Sequence, residues 1–373
     1  MAERYISEIV INNFRNYLTK KLEFSNNVNI ICGDNGVGKT SILEAIYFFE
    51  ELKSFRKSDV LELVNSSGTV NPFLQQDILF SLYIKFFNFN TNNSSSIVYK
   101  KDEDSYKKTV KVNNDVLKKN SQLKDIFKIT YLIPQMDQFF TDQSSVRRKF
   151  LDKTASLLFI DHYETVKKYE FFIKERLRIL TGENIDKNWL NIVEKKIVEL
   201  GVSIASIRNE TINIMNNIFD AYKLSFPVGV LKIDGIVESM LCSKKSIDVE
   251  DYYLNMLLNN RITDTSSKKT CFGIHKSDLV LIHKSKNVKA SLCSTGEQKL
   301  LLIALMFVRC IFSKNINKGI PILLLDDIIS HLDSKIRNTL FSEIKNLNVQ
   351  TFITGIDIGS FENFRGANFI SLK

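Results

Sequence analysis

A glycine-rich segment near the amino terminus has the residue types and spacing of a phosphate-binding loop. Gly33 is followed, after four residues, by Gly38, Lys39 and Thr40. Glycines here let consecutive backbone N–H groups point into one concavity, and a helix that begins near Lys39 adds the positive end of its dipole. We predict that Lys39 neutralises the β- and γ-phosphates of ATP and that the Thr40 hydroxyl ligates Mg²⁺. The predicted nucleotide-binding residues of this loop are Gly33, Asp34, Asn35, Gly36, Val37, Gly38, Lys39, Thr40 and Ser41.

Two adjacent carboxylates supply a second element of the same chemistry. Asp326 and Asp327 directly follow the apolar run at residues 322–325. Ligands bind at the carboxyl ends of strands in open α/β sheets. We predict that Asp326 joins Thr40 in the Mg²⁺ shell and that Asp327 orients the attacking water, so that Lys39, Asp326 and Asp327 are the catalytic residues. The alternative is a strand that ends in acidic turn residues, which the phosphate loop upstream disfavours.

A third motif indicates the subclass. Ser294-Thr295-Gly296-Glu297-Gln298 resembles the signature motif of ATP-binding-cassette (ABC) ATPases. Serine followed three residues later by glutamate is also a capping box, and both interpretations can hold, because a capped helix N-terminus with a bare glycine is an anion site. The signature, a helix and the acidic strand follow one another over 34 residues, and the sequence Ser-His-Leu-Asp at 330–333 then matches the D-loop. Kinases, small GTPases and AAA+ proteins lack that order.

The resemblance to ABC ATPases implies a site divided between two chains. In that class the phosphate loop of one head faces the signature of the other, so that ATP joins two heads and hydrolysis releases them. We therefore expect ATP to dimerise this protein through contacts to the γ-phosphate that ADP cannot provide. The signature residues predicted to reach the partner's nucleotide are Ser294, Gly296 and Gln298.

These motifs need an α/β framework to position them, and the hydrophobic pattern predicts one. Residues 145–222 contain no proline and predict helices with a break at 181–184. The other predicted elements are two strand-like runs in residues 5–31, a helix after the glycine loop, an antiparallel meander over 78–112 with a tight turn at Asn113 and Asn114, a strand at 129–134, a hairpin that turns near 285–287, a helix from the signature to Phe312, and strands at 320–327 and 349–357.

The predicted fold class is an α/β ABC-type ATPase head with an α-helical insertion lobe. The head combines a mixed sheet around the P-loop core with an antiparallel β subdomain. We assign residues 1–134 and 265–373 to the head (lobe I) and residues 135–264 to the mainly helical insertion (lobe II).

Composition bounds the class of protein. The chain has 373 residues with 51 Lys and Arg against 42 Asp and Glu, a net charge of +9, and is 44% hydrophobic, which excludes global disorder. The five cysteines include no C-x-x-C pair, so neither a disulfide framework nor a zinc site is indicated. The charged amino terminus is unlike a signal peptide, and the longest apolar run, at 300–308, has nine residues, short of the ~20 of a membrane span. We expect a cytoplasmic protein.

Nearly the whole chain resembles the RecF family of bacterial recombination mediators, which are related to SMC heads. The 253 residues between Thr40 and Ser294 are too many for the helical domain of a transporter head and too few for a long coiled coil. Besides the three motifs above, the resemblance is carried by Asn12-Asn13-Phe14-Arg15-Asn16-Tyr17, Leu43-Glu44-Ala45-Ile46-Tyr47, Ser54-Phe55-Arg56, Arg147-Arg148-Lys149-Phe150-Leu151-Asp152 and Gly273-x-His275-Lys276-x-Asp278-Leu279.

The resemblance implies an ATP-dependent DNA-binding protein with weak, DNA-stimulated ATPase activity. Members of the family favour duplex DNA next to single-stranded gaps and, with RecR and RecO, help RecA to replace single-strand-binding protein in gap repair and SOS induction. It also implies a nucleotide contact for Arg15. Gln135, after the strand that ends at Pro134, is a candidate Q-loop glutamine, and a plain loop glutamine is the alternative. The chain departs from the family pattern at Ile274, Ser277 and Glu297.

Two lysine-rich stretches suit a polyanionic partner. Seven basic residues against two acidic ones lie between Arg261 and Lys289, and a second cluster spans residues 100–119. Such lysines contact DNA phosphates without reading bases, and a solvated surface is the alternative. His283 is the one other candidate ligand at metal-ligand spacing from His275, so a metal site there is not indicated.

Two other kinds of ATPase remain as alternatives. Other SMC-like heads, such as defence ATPases, usually carry an appended nuclease module, and about 40 residues after Asp333 leave no room for one. A transporter ATPase subunit usually has a histidine at the end of the strand after the acidic pair, where this chain has Thr354.

Overall fold

The structure is a computed structural model that describes residues 3–56, 58–66, 77–103, 105–119, 121–184, 186–222, 224–316, 318–329, 332–362 and 364–372. Within these residues the strands are β1 (Arg4–Phe14), β2 (Tyr17–Glu23), β3 (Val28–Cys32), β4 (Ile78–Asn88), β5 (Thr91–Asp102), β6 (Ser105–Val112), β7 (Asp115–Val116), β8 (Phe127–Leu132), β9 (Gly229–Asp234), β10 (Asp278–His283), β11 (Val288–Lys289), β12 (Ile320–Leu325), β13 (Gln350–Gly355) and β14 (Asn368–Ser371). The helices are α1 (Lys39–Glu51), α2 (Ser121–Ile126), α3 (Ser144–Ala155), α4 (His162–Leu180), α5 (Lys187–Ala221), α6 (Ile236–Leu241), α7 (Ser246–Asn259), α8 (Arg261–Ser267), α9 (Thr295–Asn315) and α10 (Ser334–Leu347).

The chain divides into two compact units. The first unit comprises Met1–Met136 and Ser313–Lys373, and the second unit comprises Asp137–Phe312. Residues 265–312 fall in the second unit because β10 pairs with β9, whereas the sequence assigns them to lobe I. The lobe boundaries given above stay a prediction.

A parallel sheet in the first unit carries the strands that precede the predicted site. Its strand order in the described residues is β14-β3-β13-β12-β8. β3 and β13 are buried along their whole length, which is typical of strands covered on both faces. Parallel pairing brings the carboxyl ends of β3, β13, β12 and β8 to one edge. The glycine loop and the two aspartates leave the sheet at that edge.

The predicted meander forms the other sheet of the first unit. The described strands are ordered β2-β1-β4-β5-β6-β7, and β4 alternates buried and half-buried residues as a strand with one core face must. Asn113 and Asn114 both have positive φ, 49° and 73°, which confirms the predicted tight turn. The sequence predicted two strands in residues 5–31 where the structure has three, because Arg15 adopts a left-handed φ of 52° and turns the chain back on itself.

Aromatic residues join this sheet to α1. Phe48 of α1 makes edge contacts with Phe14, Phe80 and Tyr99. The three phenylalanines are at most 1% exposed, and full burial of such a side chain stabilises the fold by roughly 1.5–3 kcal/mol. The helix that follows the glycine loop is therefore fixed by the core of the antiparallel sheet.

The second unit is mainly helical, and its helices α3, α4 and α5 cover the proline-free stretch 145–222 that the sequence predicts to be helical. α4 packs along α5, and the break between them, after Leu180 and before Lys187, covers the predicted break at 181–184. The side chain of Asp186 accepts hydrogen bonds from the backbone N–H groups of Asn188 and Trp189 and so starts the 35-residue α5. β10 and β11 form the predicted hairpin, with His283 opposite Val288. Among the described residues, no helix is both long and apolar enough for a membrane span.

Candidate nucleotide-binding site

The glycine loop lies between β3 and α1, as predicted, and is open to solvent. Gly36 and Gly38 have φ of 88° and 99°, which only glycine adopts readily. The Nζ of Lys39 donates hydrogen bonds to the carbonyl oxygens of Gly33 and Asp34, at 2.6 and 2.7 Å. The lysine ammonium is therefore held at the loop that the sequence predicts to surround the phosphates.

The turn between β1 and β2 holds this loop in place through two hydrogen bonds. Asn16 Nδ2 donates to the carbonyl oxygen of Gly36 at 2.8 Å, and Tyr17 Oη donates to that of Val37 at 3.0 Å. Burial raises the pKa of Tyr17 to about 12, so its hydroxyl stays a donor. A Cβ on Gly38 would lie 2.7 Å from Tyr17 Oη. Sequence reasoning assigned no role to Asn16 and Tyr17, although both belong to the run that carries the family resemblance.

The structure brings the two predicted magnesium ligands together. Thr40 Oγ1 donates to both carboxylate oxygens of Asp326, each at 3.0 Å. Asp326 is 6% exposed, and burial raises the pKa of its carboxyl while hydrogen bonds from Thr354 and Thr40 oppose the rise. A hydroxyl and a buried carboxylate are the oxygen ligands that Mg²⁺ takes beside phosphate oxygens. The donor set therefore fits the predicted ion.

Asp327 lies next to this pair in an unusual backbone conformation. Its φ is 48°, in the left-handed region, and its N–H donates to Thr354 Oγ1 at 2.9 Å. Thr354 in turn donates to Asp326 Oδ1 at 2.8 Å. The sequence recorded Thr354 only as a departure from the transporter pattern. The available signal was a hydroxyl residue near the end of the strand that follows the acidic pair in sequence, and this signal could have identified Thr354 as a site residue.

Gln135 and Arg15 lie in the same unit with different surroundings. Gln135 is an exposed residue in the short 3₁₀ turn Pro134–Met136, which directly follows β8, the neighbour of β12. The Arg15 guanidinium forms a bidentate ion pair with the buried Glu44, at 2.8 and 2.9 Å, and also donates to Ser58 Oγ. Arg15 thereby ties the segment around Ser58 to α1, and the nucleotide contacts of Arg15 and Gln135 stay predictions.

The signature residues belong to the second unit and lie at an exposed helix N-terminus. Ser294 Oγ accepts from the Glu297 N–H at 3.4 Å, and the Ser294 N–H donates to the Glu297 carboxylate at 3.3 Å, which confirms the capping box. Gly296 has nothing within 4 Å of the position that a Cβ would take. Gln298 Nε2 donates to the carbonyl oxygen of Cys293 at 2.9 Å, and the Glu297 carboxylate is ion-paired with Lys286. The turn is thus preformed, with its glycine open to solvent.

The D-loop match is partly described. Ser330 and His331 lie outside the described residues. Leu332 is buried, and the Asp333 side chain accepts from the Ile336 N–H at 2.8 Å as the cap of α10, a helix that the sequence did not predict.

Two segments that carry the family resemblance meet inside the second unit. Arg147 forms a bidentate pair with Asp278, at 2.7 and 2.8 Å, and Arg208 forms one with Asp152, at 2.8 Å for both bonds. Arg208 also donates to Ser277 Oγ at 3.2 Å. These residues, far apart in sequence, form a buried network that holds α3, α5 and the 273–278 loop together. The loop therefore has a structural role here.

His275 in that loop is a neutral structural residue. Its Nδ1 and Nε2 lie 2.8 Å from Tyr169 Oη and from the carbonyl oxygen of Thr270, and burial lowers its pKa to about 4. In the part of the chain that the structure describes, no cluster of three or more histidine, cysteine or acidic side chains could hold a metal ion.

Known proteins are similar in sequence to this chain over almost its full length. The RecF/RecN/SMC N-terminal domain family matches residues 5–371. The DNA replication and repair protein RecF of Rickettsia felis is 34% identical over 367 residues, covering 98% of this chain and 96% of its own length. The same protein of Rickettsia prowazekii is 33% identical over 364 residues, covering 98% of both.

Solved structures share the fold. The recombination mediator protein RecF of the RecFOR pathway, with ATP, superposes with a TM-score of 0.78 at 25% identity, over 96% of this chain and 95% of that one. The Smc head domain of Pyrococcus furiosus gives 0.56 at 16% identity, over 99% and 94% of the two chains. These likenesses confirm the predicted α/β ABC-type ATPase head.

Proposed function

The chain belongs to the RecF family of SMC-like ATPases, and from that premise we propose that it is an ATP-dependent, DNA-binding recombination mediator. It acts at single-strand gaps and at junctions of single-stranded with duplex DNA, and it assists RecA loading in gap repair and SOS induction. ATP drives its dimerisation, and a weak, DNA-stimulated ATPase activity resets the dimer. Its place of action is the cytoplasm.

One observation carries the proposal. Thr40, Asp326 and Thr354 converge at one edge of a parallel sheet through hydrogen bonds of 2.8–3.0 Å, and Lys39 precedes Thr40 with its ammonium bound to the loop carbonyls. Two of these residues come from the amino-terminal part of the chain and two from the carboxyl-terminal part. A glycine loop that matched the motif only by chance would not be expected to place Thr40 within hydrogen-bond distance of the buried Asp326, 286 residues away.

The residues divide the work of phosphoryl transfer between them. The loop N–H groups and the Lys39 ammonium bind the phosphates and stabilise the charge that develops on them. Thr40 and Asp326 would hold Mg²⁺, which on binding neutralises the β- and γ-phosphate oxygens. Asp327, at the carboxyl end of β12, orients the water that attacks the γ-phosphate. Gln135 follows the adjacent strand and contributes at the same edge.

The signature half completes the site of a second chain. Ser294, Gly296 and Gln298 approach the γ-phosphate bound to the partner, and Arg15 contributes to nucleotide binding in its own chain. An open glycine at a capped helix N-terminus supports this role, because such a terminus favours an anion. Hydrolysis removes the γ-phosphate contacts and releases the dimer.

The lysine clusters supply the contact to DNA. Lys107 and Lys111 are exposed on one face of β6, whereas Lys108 lies on the other face, where burial and the nearby Lys53 lower its pKa. In the second cluster Lys284 is ion-paired with Asp220. Lys286 is ion-paired with Glu297, and Lys268, Lys269, Lys276 and Lys289 are further exposed lysines of that cluster. These exposed lysines bind phosphates, while RecR and RecO are the protein partners.

The first experiment is sedimentation with ATP, with ADP and without nucleotide, each with and without gapped duplex DNA. We expect ATP, and not ADP, to convert monomer to dimer. A protein that stays monomeric with saturating ATP and gapped DNA would contradict the proposal.

The second experiment is competition between gapped duplex and single-stranded DNA over a range of salt concentrations. We expect a preference for the gapped DNA and, for the double variant Lys107→Gln/Lys111→Gln, a salt slope shallower by about two, since each phosphate contact contributes about one. Lys284→Gln is the matched control, because its charge is already neutralised by Asp220. Equal affinity for both DNAs at every salt concentration would reject the junction preference.

A further inference from the structure

Thr354 occupies the strand between the two nucleotide-binding strands. β13 lies between β3, which leads into the glycine loop, and β12, which leads into Asp326. Thr354 is opposite Ile31 of β3 in the pairing and is fully buried. It is therefore near the carboxyl edge of the sheet, where the loop and the two aspartates emerge.

The single hydroxyl of Thr354 serves both aspartates. A hydroxyl has one proton to donate and lone pairs to accept with. The Asp327 N–H donates to Thr354 Oγ1 at 2.9 Å, and the Thr354 proton goes to Asp326 Oδ1 at 2.8 Å. Both bonds are of ordinary length, and together they fix the rotation of the hydroxyl. Thr40 Oγ1 donates to the same carboxylate and lies 3.0 Å from each of its oxygens.

The backbone at this point needs such a tether. The Asp326 N–H donates to the Leu132 carbonyl oxygen of β8 at 2.9 Å, whereas the next N–H, that of Asp327, turns to β13 on the opposite side. Asp327 itself has a left-handed φ of 48°, at the point where the chain has left β12. For a non-glycine residue that conformation costs on the order of 1–2 kcal/mol, so it persists only where neighbouring contacts enforce it.

We infer that Thr354 is a positioning residue of the ATPase site, which sets the metal-side carboxylate of Asp326 and the water-side turn of Asp327 with one hydroxyl. The inference rests on the proposed function, because it assigns Thr354 a role in that reaction. The inference assigns Thr354 no direct contact with phosphate or water. Its effect passes through the orientation of the two aspartates.

A purely structural role is the competing explanation, since threonine is β-branched and suits a buried strand. Two substitutions separate the roles. Thr354→Val keeps the branched shape and removes the hydroxyl, whereas Thr354→Ser keeps the hydroxyl and removes the methyl group. The test measures kcat and KM for ATP, the Mg²⁺ concentration for half-maximal fluorescence change of a bound fluorescent ATP analogue, and the midpoint of thermal unfolding.

For Thr354→Val we expect kcat to fall about 10- to 100-fold, the effect usual for groups that orient metal ligands, while KM for ATP changes less than about twofold. The half-maximal Mg²⁺ concentration should rise about 3- to 10-fold in the binding assay. Thr354→Ser should restore both values to within about threefold of the natural protein. Thr354→Val loses both hydrogen bonds of the hydroxyl. A lower kcat with an unchanged KM for ATP would then indicate that the aspartates are misoriented, whereas a damaged phosphate loop would also raise KM.

The outcomes are decisive in each direction. A folded Thr354→Val with kcat and Mg²⁺ dependence within about twofold of the natural protein overturns the inference, as does a Thr354→Ser that loses as much as Thr354→Val. If Thr354→Val is poorly folded, Thr354→Ala takes its place in the comparison with Thr354→Ser on the same criteria. If the natural protein neither hydrolyses ATP nor dimerises with it, the proposed function fails instead, whatever the variants do.

Discussion

The phosphate-loop half and the signature half of the predicted site are built in opposite ways. Asp326 is 6% exposed and receives hydrogen bonds from two other elements, and the loop is braced by Asn16 and Tyr17. The signature turn is exposed, and its own capping box supplies hydrogen bonds to its backbone N–H groups. Its glycine, Gly296, has open space around the position of a Cβ. The first half is positioned by the packing of its own unit, whereas the second is an exposed turn held by its own local hydrogen bonds.

This difference predicts which function each half controls. Changes in the phosphate-loop half should abolish nucleotide binding and everything that depends on it. Changes in the signature half should leave nucleotide affinity intact and act on association between chains. Three predictions test that separation, and a fourth tests the stability of the unit that carries the signature.

Lys39→Ala should lower ATP affinity at least about 100-fold and abolish the ATP-dependent dimer, because a charge-assisted contact to phosphate is lost. Fluorescence titration with an ATP analogue and sedimentation measure the two effects. Lys335→Ala, an exposed lysine on α10 of the same unit, is the control and should behave like the natural protein. Near-normal ATP binding by Lys39→Ala would remove the loop from the nucleotide site.

Ser294→Arg should leave ATP affinity within about twofold and weaken the dimer at least about 10-fold. The arginine removes a cap worth about 1 kcal/mol and places bulk where the partner's nucleotide should approach. Ser294→Thr keeps both hydroxyl and cap and should dimerise normally. If Ser294→Arg instead loses ATP affinity in the monomer, the signature acts on its own chain's nucleotide and the comparison is wrong.

Acid should destabilise the unit that carries the signature. Burial lowers the pKa of His275 from its ordinary value of 6.5 to about 4. The unfolded chain therefore binds this proton at a higher pH than the folded chain does. This group leaves the free energy of unfolding unchanged above pH 6.5 and lowers it as the pH falls from 6.5 to 4, and the loss is about 2 kcal/mol at pH 5.

The measurement is the midpoint of thermal unfolding at pH 7 and at pH 5, which we expect to fall by about 5 °C more in the natural protein than in His275→Gln. Three of the four histidines (His162, His275 and His283) belong to the second unit, so subtracting the variant isolates the contribution of His275. An equal fall in both proteins would show that His275 is protonated at no cost.

Lys286→Met should weaken the ATP-dependent dimer by only about 3- to 5-fold, because the pair is exposed. Lys286 neutralises Glu297 in the first turn of α9 and lowers its pKa. Without the lysine, the carboxylate repels an approaching triphosphate. Glu297→Gln in the same chain should restore the dimer, and high salt should reduce the difference. A Lys286→Met defect that Glu297→Gln leaves unchanged would show that the pair has no electrostatic role.

The sequence predicted the chemistry of the site because that chemistry depends on short patterns. Glycine spacing around Lys39 fixes the loop, and an apolar run before Asp326 fixes a strand end. The antiparallel meander and the break between α4 and α5 follow from local alternation and turn residues in the same way. α10 and the turn at Arg15 were missed, since each depends on a capping contact or a positive φ that periodicity does not reveal.

By itself, the sequence determined the phosphate loop, the acidic strand and the signature, because in each the residues that act together are neighbours along the chain. Only the tertiary structure decided that Thr354 bridges Asp326 and Asp327, that Tyr17 braces Val37, and that Arg147 pairs with Asp278. Those contacts join residues 20 to 131 positions apart. Local preferences carry no information about such pairs, which exist because sheet order and packing bring their elements within hydrogen-bond distance.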